Sequence, residues 1–204
     1  MTLPQKPLAE LYRLTDLFTD YNKLTRVERY TLIPIKAHTV TLIHGGQFSI
    51  IRSSDRLLFE KQTAPALYGL SGNTRSLTYL RVYADTQCYF QLVPLEIFMQ
   101  RLEDHHALHL IPPILSWHIE NLLYRDEMMM GRNSYQMIKG NILHINQLDE
   151  FMRTKINVAD FIVKRTNLSR SIVMKVLSAM RAKNHIDVKR GKLLSVNQLP
   201  EKLS

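Results

Sequence analysis

The segment INVADFIVKRTNLSRSIVMKVLSAMRAKNHIDVKRGKLLSV, residues 156–196, decides the fold of the C-terminal third. Asn157 is a helix-capping residue, and Asp160 three positions on favours a helix start electrostatically. Val158, Phe161 and Ile162 supply one apolar face. Thr166-Asn167-Leu168 breaks the pattern, and Ser169 caps the helix that follows. In that second helix Ile172, Val173, Val176, Leu177 and Met180 are expected to form the buried stripe. Arg170, Ser171, Met174, Lys175 and Ser178 fall on the opposite face. Two short helices with a tight turn, the second showing a basic and hydroxyl face, meet the needs of a helix-turn-helix. Ile186 to Lys189, Arg190-Gly191 and Lys192 to Val196 then read as a hairpin with a basic tip, a wing whose Lys189, Arg190 and Lys192 reach phosphates.

Charge follows the same division. The 204-residue chain has a formal net charge of +9. Residues 1–133 hold 14 Lys+Arg against 13 Asp+Glu, whereas residues 134–204 hold 13 against 5, a net of +8. An excess confined to one third points to a polyanion, and with this motif to double-stranded DNA. Hydrophobic residues make up 45% and charged residues 22%, enough apolar content for a real core. No apolar run reaches the roughly 18–20 residues of a membrane span, and MTLPQKPLAELYRL lacks the pattern of a secretory signal. The single cysteine, Cys88, excludes a disulfide framework and suits the cytoplasm.

Upstream of the segment, SYQMIKGNILHINQLDEFM has helical spacing, with Met137, Ile138, Leu143, Ile145 and Leu148 as its apolar positions. Residues Pro112 to Met130 form another helical block. Its Leu115, Ile119, Leu122 and Met129 approximate a coiled-coil seam, interrupted by Asp126, while Gly131-Arg132-Asn133 reads as a stop and hinge. Residues Pro7 to Tyr21 read as a short amphipathic helix. Between Tyr30 and Val93 the texture is that of short strands: TVTLIHGGQFSIIR carries a hairpin signature at Gly45-Gly46, and LTYLRVYADTQCYFQLV alternates, with Thr78, Leu80, Val82 and Ala84 on one face. The expected fold is therefore α+β: residues 1–110 an N-terminal β-roll with a leading helix, 111–132 a long linking and dimerisation helix, 133–204 a winged helix-turn-helix.

Ser169-Arg170-Ser171-Ile172-Val173-Met174-Lys175-Val176-Leu177, Asn184-His185-Ile186 and Gly191-Lys192 resemble the winged helix of the catabolite activator/FNR superfamily, and CYFQLVPLEIF is similar to its last roll strand and short helix. RTNLSRS followed by GKLLSV resembles more closely an enterobacterial branch named for inhibition of hydrogen-peroxide resistance. The resemblance implies a homodimeric regulator with a degenerate cyclic-nucleotide-type roll, working with RNA polymerase and linked to oxidative stress. It also implies that Arg170 reads guanine bidentately. Ser171 stands where the superfamily has a Glu, and Lys175 where it has an Arg, so the target sequence should differ from the usual operator. Arg75-Ser76 echo the superfamily's phosphate pair, but PALYGLSGN has no acidic residue for the ribose, so no cyclic nucleotide is expected.

The expected DNA-binding set is Ser169, Arg170, Ser171, Lys175, Ser178, Lys189, Arg190 and Lys192, with no catalytic, cofactor or metal site. His105, His106 and His109 include a pair at i, i+4 metal spacing but have no completing ligand nearby. Cys88 is weighed as a redox thiol against a core side chain, and His118 and His144 as packed residues. Two rivals are a ligand-sensing or adaptor protein whose winged domain binds protein, and a metal-dependent small-barrel enzyme. The charge and the basic wing weigh against the first. The roll's sparse histidines, His38 and His44, weigh against the second.

Overall fold

A computed structural model describes residues 2–20, 23–70 and 78–202. The chain divides into two compact units, residues 5–118 and residues 119–204 with the first four.

Among the described residues of the first unit, eight strands make two antiparallel sheets: β1 (Thr25–Val27), β2 (Leu32–Ile33), β3 (Thr39–Gly45), β4 (Gln47–Arg52), β5 (Leu58–Thr63), β6 (Ala66–Tyr68), β7 (Leu80–Ala84) and β8 (Cys88–Pro94). The orders are β1-β8-β3-β6 and β2-β7-β4-β5. Gly45-Gly46 is therefore not a hairpin, as its dipeptide signature suggested, because β3 pairs with β6 and β8 while β4 pairs with β5 and β7. It is a corner at which the chain changes sheets. Gly46 sits at φ +99°, and a Cβ there would lie 2.4 Å from the Gln87 carbonyl oxygen and 2.5 Å from Cys88 Sγ, so only glycine fits. Of the expected face Thr78, Leu80, Val82 and Ala84, β7 buries Val82 and Ala84; Leu80 is half-buried, and Thr78 lies before the strand and is exposed. The buried pair joins Ile43, Phe48, Ile50, Ala66, Cys88 and Phe90 between the sheets.

A second core forms where α1 (Leu8–Leu17), α2 (Leu95–Asp104), a 3₁₀ turn (Leu108–Leu110) and the start of α3 (Ile111–Met129) bring Leu11, Leu14, Phe98, Leu102, Leu110 and Ile114 onto Val40, Leu42, Leu67 and Val93. Phe18 stacks on Phe98 at 4.8 Å. Helix α1 stops at Leu17, short of Tyr21, which lies outside the described residues, as do Arg75 and Ser76.

In the second unit, Asn133 opens α4 (Ser134–Gln147) with a complete capping box: its side chain accepts from Gln136 N and the Gln136 side chain accepts from Asn133 N. The single helix expected from residue 134 through Met152 is in fact two. Leu148 adopts an extended conformation and Asp149 caps α5 (Glu150–Lys155) by accepting from Met152 N, an aspartate signal overridden by the apolar spacing. Asn141 and Ile142 are buried in α4, whereas Leu143 is exposed, contrary to its expected core role. Helix α6 (Val158–Thr166), helix α7 (Arg170–Ala182) and the hairpin β9 (Ile186–Lys189) and β10 (Lys192–Val196) complete the unit.

Candidate nucleic-acid interface

Each piece of the C-terminal motif is fixed by a local sequence signal. Asn157 caps α6, its side chain accepting from Asp160 N at 3.1 Å. Helix α6 ends because Asn167 takes the left-handed conformation, φ 59°. Ser169 then caps α7 by accepting from Ile172 N at 3.3 Å. After α7, Asn184 at φ 57° turns the chain, with His185 N bonded to the Met180 carbonyl at 2.9 Å. The wing turns through Arg190 (φ 50°) and Gly191 (φ 76°), both positive as a two-residue I′ turn requires.

The core beneath these helices consists of Val158, Phe161 and Ile162 from α6 and Val173, Leu177 and Met180 from α7. Ile172 does not belong to it. That residue is 41% exposed, and Val176 is only half-buried, so the buried stripe is narrower than the five apolar residues suggested. Helical geometry explains this: Val173, Leu177 and Met180 recur at four and three, and Ile172 lies a step of about 100° outside their row. Ser169, Arg170, Ser171, Lys175 and Ser178 are all exposed, as are Lys189 and Arg190, while Lys192 is half-buried.

Two contacts of this surface had no signal in the sequence. The Gly191 carbonyl accepts from Val158 N at 2.9 Å, docking the wing turn on the start of α6. The Arg170 guanidinium donates to Asp160 Oδ1, forming an ion pair between α7 and the first turn of α6. Asp160 was legible only as a charge favouring its own helix.

Behind the interface, His144 is enclosed by Tyr124 at 5.8 Å and by Phe161, on which it stacks at 5.8 Å. Burial, and secondarily the charge of Arg165, holds its imidazole well below its ordinary pKa. Arg165 is itself 2% exposed and lies 5.2 Å from the Phe161 ring centroid.

Elsewhere, Cys88 is fully buried with Sγ 3.2 Å from the Gln47 carbonyl, and burial pushes its thiol up, away from thiolate character. In the β-roll unit, His118 packs against Tyr68 at 5.6 Å. Burial lowers its pKa, and a bond to the Leu67 backbone opposes that shift. His109 Nδ1 lies 2.9 Å from the His106 carbonyl. Among the described residues, no three His, Cys, Asp or Glu are grouped to hold a metal ion. No described helix is long and apolar enough to cross a membrane.

A family model described as winged helix-turn-helix DNA binding matches residues 134–201, the span just built from its caps and turns. Across nearly the whole length, the chain is 30% identical over 202 residues to the inhibitor of hydrogen peroxide resistance of Salmonella typhimurium, covering 96% of each. The chain belongs to that family. Its fold is shared with CRP/FNR-type regulators. The c-di-GMP-responsive global regulator CLP of Xanthomonas campestris superposes with a TM-score of 0.70 at 15% identity, over 92% of this chain and 100% of that one. A CRP-family transcriptional regulator of Thermus thermophilus gives 0.58 at 17% identity, over 85% and 92%. Residues 134–201 are thus matched as a winged helix-turn-helix DNA-binding domain, and the chain as a whole has the fold seen in CRP/FNR-type regulators.

Proposed function

We propose that the chain is a cytoplasmic, homodimeric, sequence-specific regulator in the control of peroxide resistance, working with RNA polymerase. Residues 1–110 act as the sensor-like roll, 111–132 as the dimerisation helix and 133–204 as the DNA-binding part. The exposed row Arg170, Ser171, Lys175 and Ser178 on α7, beside the basic wing turn, carries the reading. Arg170, Ser171 and Lys175 occupy the first turn and a half of α7, with Ser169 at the cap, and are assigned to base edges and adjoining phosphates. Lys189, Arg190 and Lys192 are assigned to the backbone. Dimerisation is supported by α3, where Leu115, Ile119, Leu122 and Leu123 are 42%, 56%, 51% and 64% exposed. So many uncovered large apolar residues on one helix suit a helix partner, and a two-fold operator would match it. The stress role is carried by the name of the Salmonella relative.

The test is a salt titration of Arg170→Ala and Lys192→Ala on a duplex selected by the wild-type protein from a random pool and on a scrambled duplex. Arg170→Ala should cost about 1–3 kcal/mol on the selected duplex and far less on the scrambled one. Lys192→Ala should weaken both alike and lower the salt slope by about one. Equal losses on both duplexes for Arg170→Ala would remove α7 from the reading role.

A further inference from the structure

We propose that Asp160 is a positioning residue for Arg170 and thereby helps set the sequence specificity of α7; the proposal rests on α7 being the base-reading helix. Asp160 Oδ1 accepts from the Arg170 guanidinium across the gap between α6 and α7. The carboxylate is itself placed by its backbone. Asp160 N donates to the Asn157 side chain at 3.1 Å, and Val158 N donates to the Gly191 carbonyl at 2.9 Å. Asp160 thus stands on a first helical turn held from one side by its cap and from the other by the wing.

Two consequences follow from the chemistry. An arginine reaching from a helix end loses rotamer freedom when it binds a base, and a fixed acceptor reduces that loss by restricting the side chain beforehand. The guanidinium has five N–H donors, so a bond to Asp160 leaves donors for guanine O6 and N7. The carboxylate is also on the helical turn whose first amide, that of Val158, holds the wing turn at Gly191. On a sequence without guanine at the Arg170 position, the pair stays closed and close to neutral, contributing little attraction to the backbone. Asp160 therefore strengthens the right duplex and weakens the wrong one. Ser171 leaves the reading turn of α7 without an acid, and Asp160 supplies one from the neighbouring helix.

The experiment measures affinity for the wild-type-selected duplex and for a scrambled duplex, using full-length protein carrying Asp160→Ala, Asp160→Asn, Arg170→Ala or the Asp160→Ala/Arg170→Ala pair. Asp160→Ala should lower the selected-to-scrambled ratio about three- to ten-fold, a size typical of directly coupled side chains. It should also raise affinity for the scrambled duplex and steepen the salt slope by about one. Once Arg170 is alanine, Asp160→Ala should leave the ratio unchanged while still raising scrambled-duplex affinity. Asp160→Asn, which keeps an acceptor and loses the charge, should retain more of the ratio than Asp160→Ala. An unchanged ratio in Asp160→Ala, or a fall of the same size with Arg170 absent, overturns the proposal. If Asp160→Ala fails to melt cooperatively, Asp160→Asn decides through the scrambled duplex, where unchanged affinity overturns it. Arg170→Ala alone separates the two levels. If it spares the ratio, the reading of α7 falls as well; if it collapses the ratio without coupling to Asp160, that reading stands and only the role of Asp160 falls.

Discussion

Replacing Gly191 by Ala tests whether the wing and the helix-turn-helix form one mechanical unit. Gly191 sits at φ +76°, where a side chain is strained by about 1–2 kcal/mol. A Cβ would also stand 2.4 Å from Asn157 Nδ2 and 3.2 Å from its Cγ. The Asn157 side chain must then rotate, yet its oxygen is the cap of α6, bonded to Asp160 N at 3.1 Å. Losing such a cap costs about 0.5–2 kcal/mol. Together the two effects predict a loss of about 1.5–4 kcal/mol. For a unit of this size each kcal/mol lowers Tm by roughly 4–8 °C. Gly131→Ala is the internal control, because Gly131 has a similar φ of +65° but nothing within 4 Å of its added Cβ. It should show the backbone cost alone, about 1–2 kcal/mol. Thermal melting followed by circular dichroism, with Asn157→Ala and the Gly191→Ala/Asn157→Ala pair completing a cycle, measures the excess. The pair should be less destabilised than the sum of its parts, since the cap is lost only once. If Gly191→Ala costs no more than Gly131→Ala, the wing contact contributes nothing to α6 and the reasoning fails.

Three further outcomes are expected. Leu122→Asp, which puts a charge into the exposed row on α3, should shift a micromolar dimer toward monomer in sedimentation; a wild-type chain that stays monomeric even on DNA would refute the assignment of α3. Calorimetry with cyclic AMP and cyclic GMP should show no micromolar binding, because PALYGLSGN offers no carboxylate to the ribose hydroxyls, each poorly matched at roughly 1–3 kcal/mol. His144 is held neutral in the fold, with its pKa depressed, so below about pH 6.5 the unfolded chain takes up a proton that the native chain does not. Stability should therefore fall with decreasing pH, by up to about 1.4 kcal/mol per unit for this one group, and be insensitive to it above pH 7. His144→Phe should flatten that acid limb in urea titrations, and an unchanged slope would show that His144 is not its source.

The sequence was most readable where a residue acts on its own backbone. Asn157 and Ser169 announced the helix starts they cap, and Arg190-Gly191 announced the hairpin tip, whereas Asn133, read as part of a hinge, is in fact the cap of α4. The alternation of β7 likewise set Val82 and Ala84, which are buried, on the face opposite Arg81 and Tyr83. It was misleading where pairing at a distance decides the outcome. Gly45-Gly46 has the composition of a hairpin turn, yet β3 finds β8 and β6, so the same flexibility serves a corner between sheets. Ile172 shares the chemistry of the core stripe but misses its angle, and Leu143 does the same in α4. The Asp160–Arg170 pair joins residues ten positions apart on two helices, which no periodicity within either helix encodes.

The parts assigned to phosphates and the part assigned to bases converge on one place, the first turn of α6. Its first amide holds the wing turn through the Gly191 carbonyl, and its third residue holds Arg170. That turn carries only one capping side chain, Asn157, and the same side chain fills the space that a residue larger than glycine would need at 191. Any substitution that frays this turn therefore acts on two kinds of DNA contact at once. The wing loses its anchor, which lowers affinity on every sequence, and Arg170 loses its fixed partner, which lowers discrimination. A change confined to Lys189 or Lys192 has only the first effect, and a change confined to Ser171 or Lys175 has mainly the second. Asn157→Ala should accordingly lower the selected-to-scrambled ratio and reduce the salt slope, although Asn157 itself is assigned no contact with DNA. The slope falls because the three wing cations it loosens outweigh the single charge released when Arg170 loses Asp160. Loss of only one of the two would mean that the wing and the reader are held independently, and that the shared turn is a matter of packing alone.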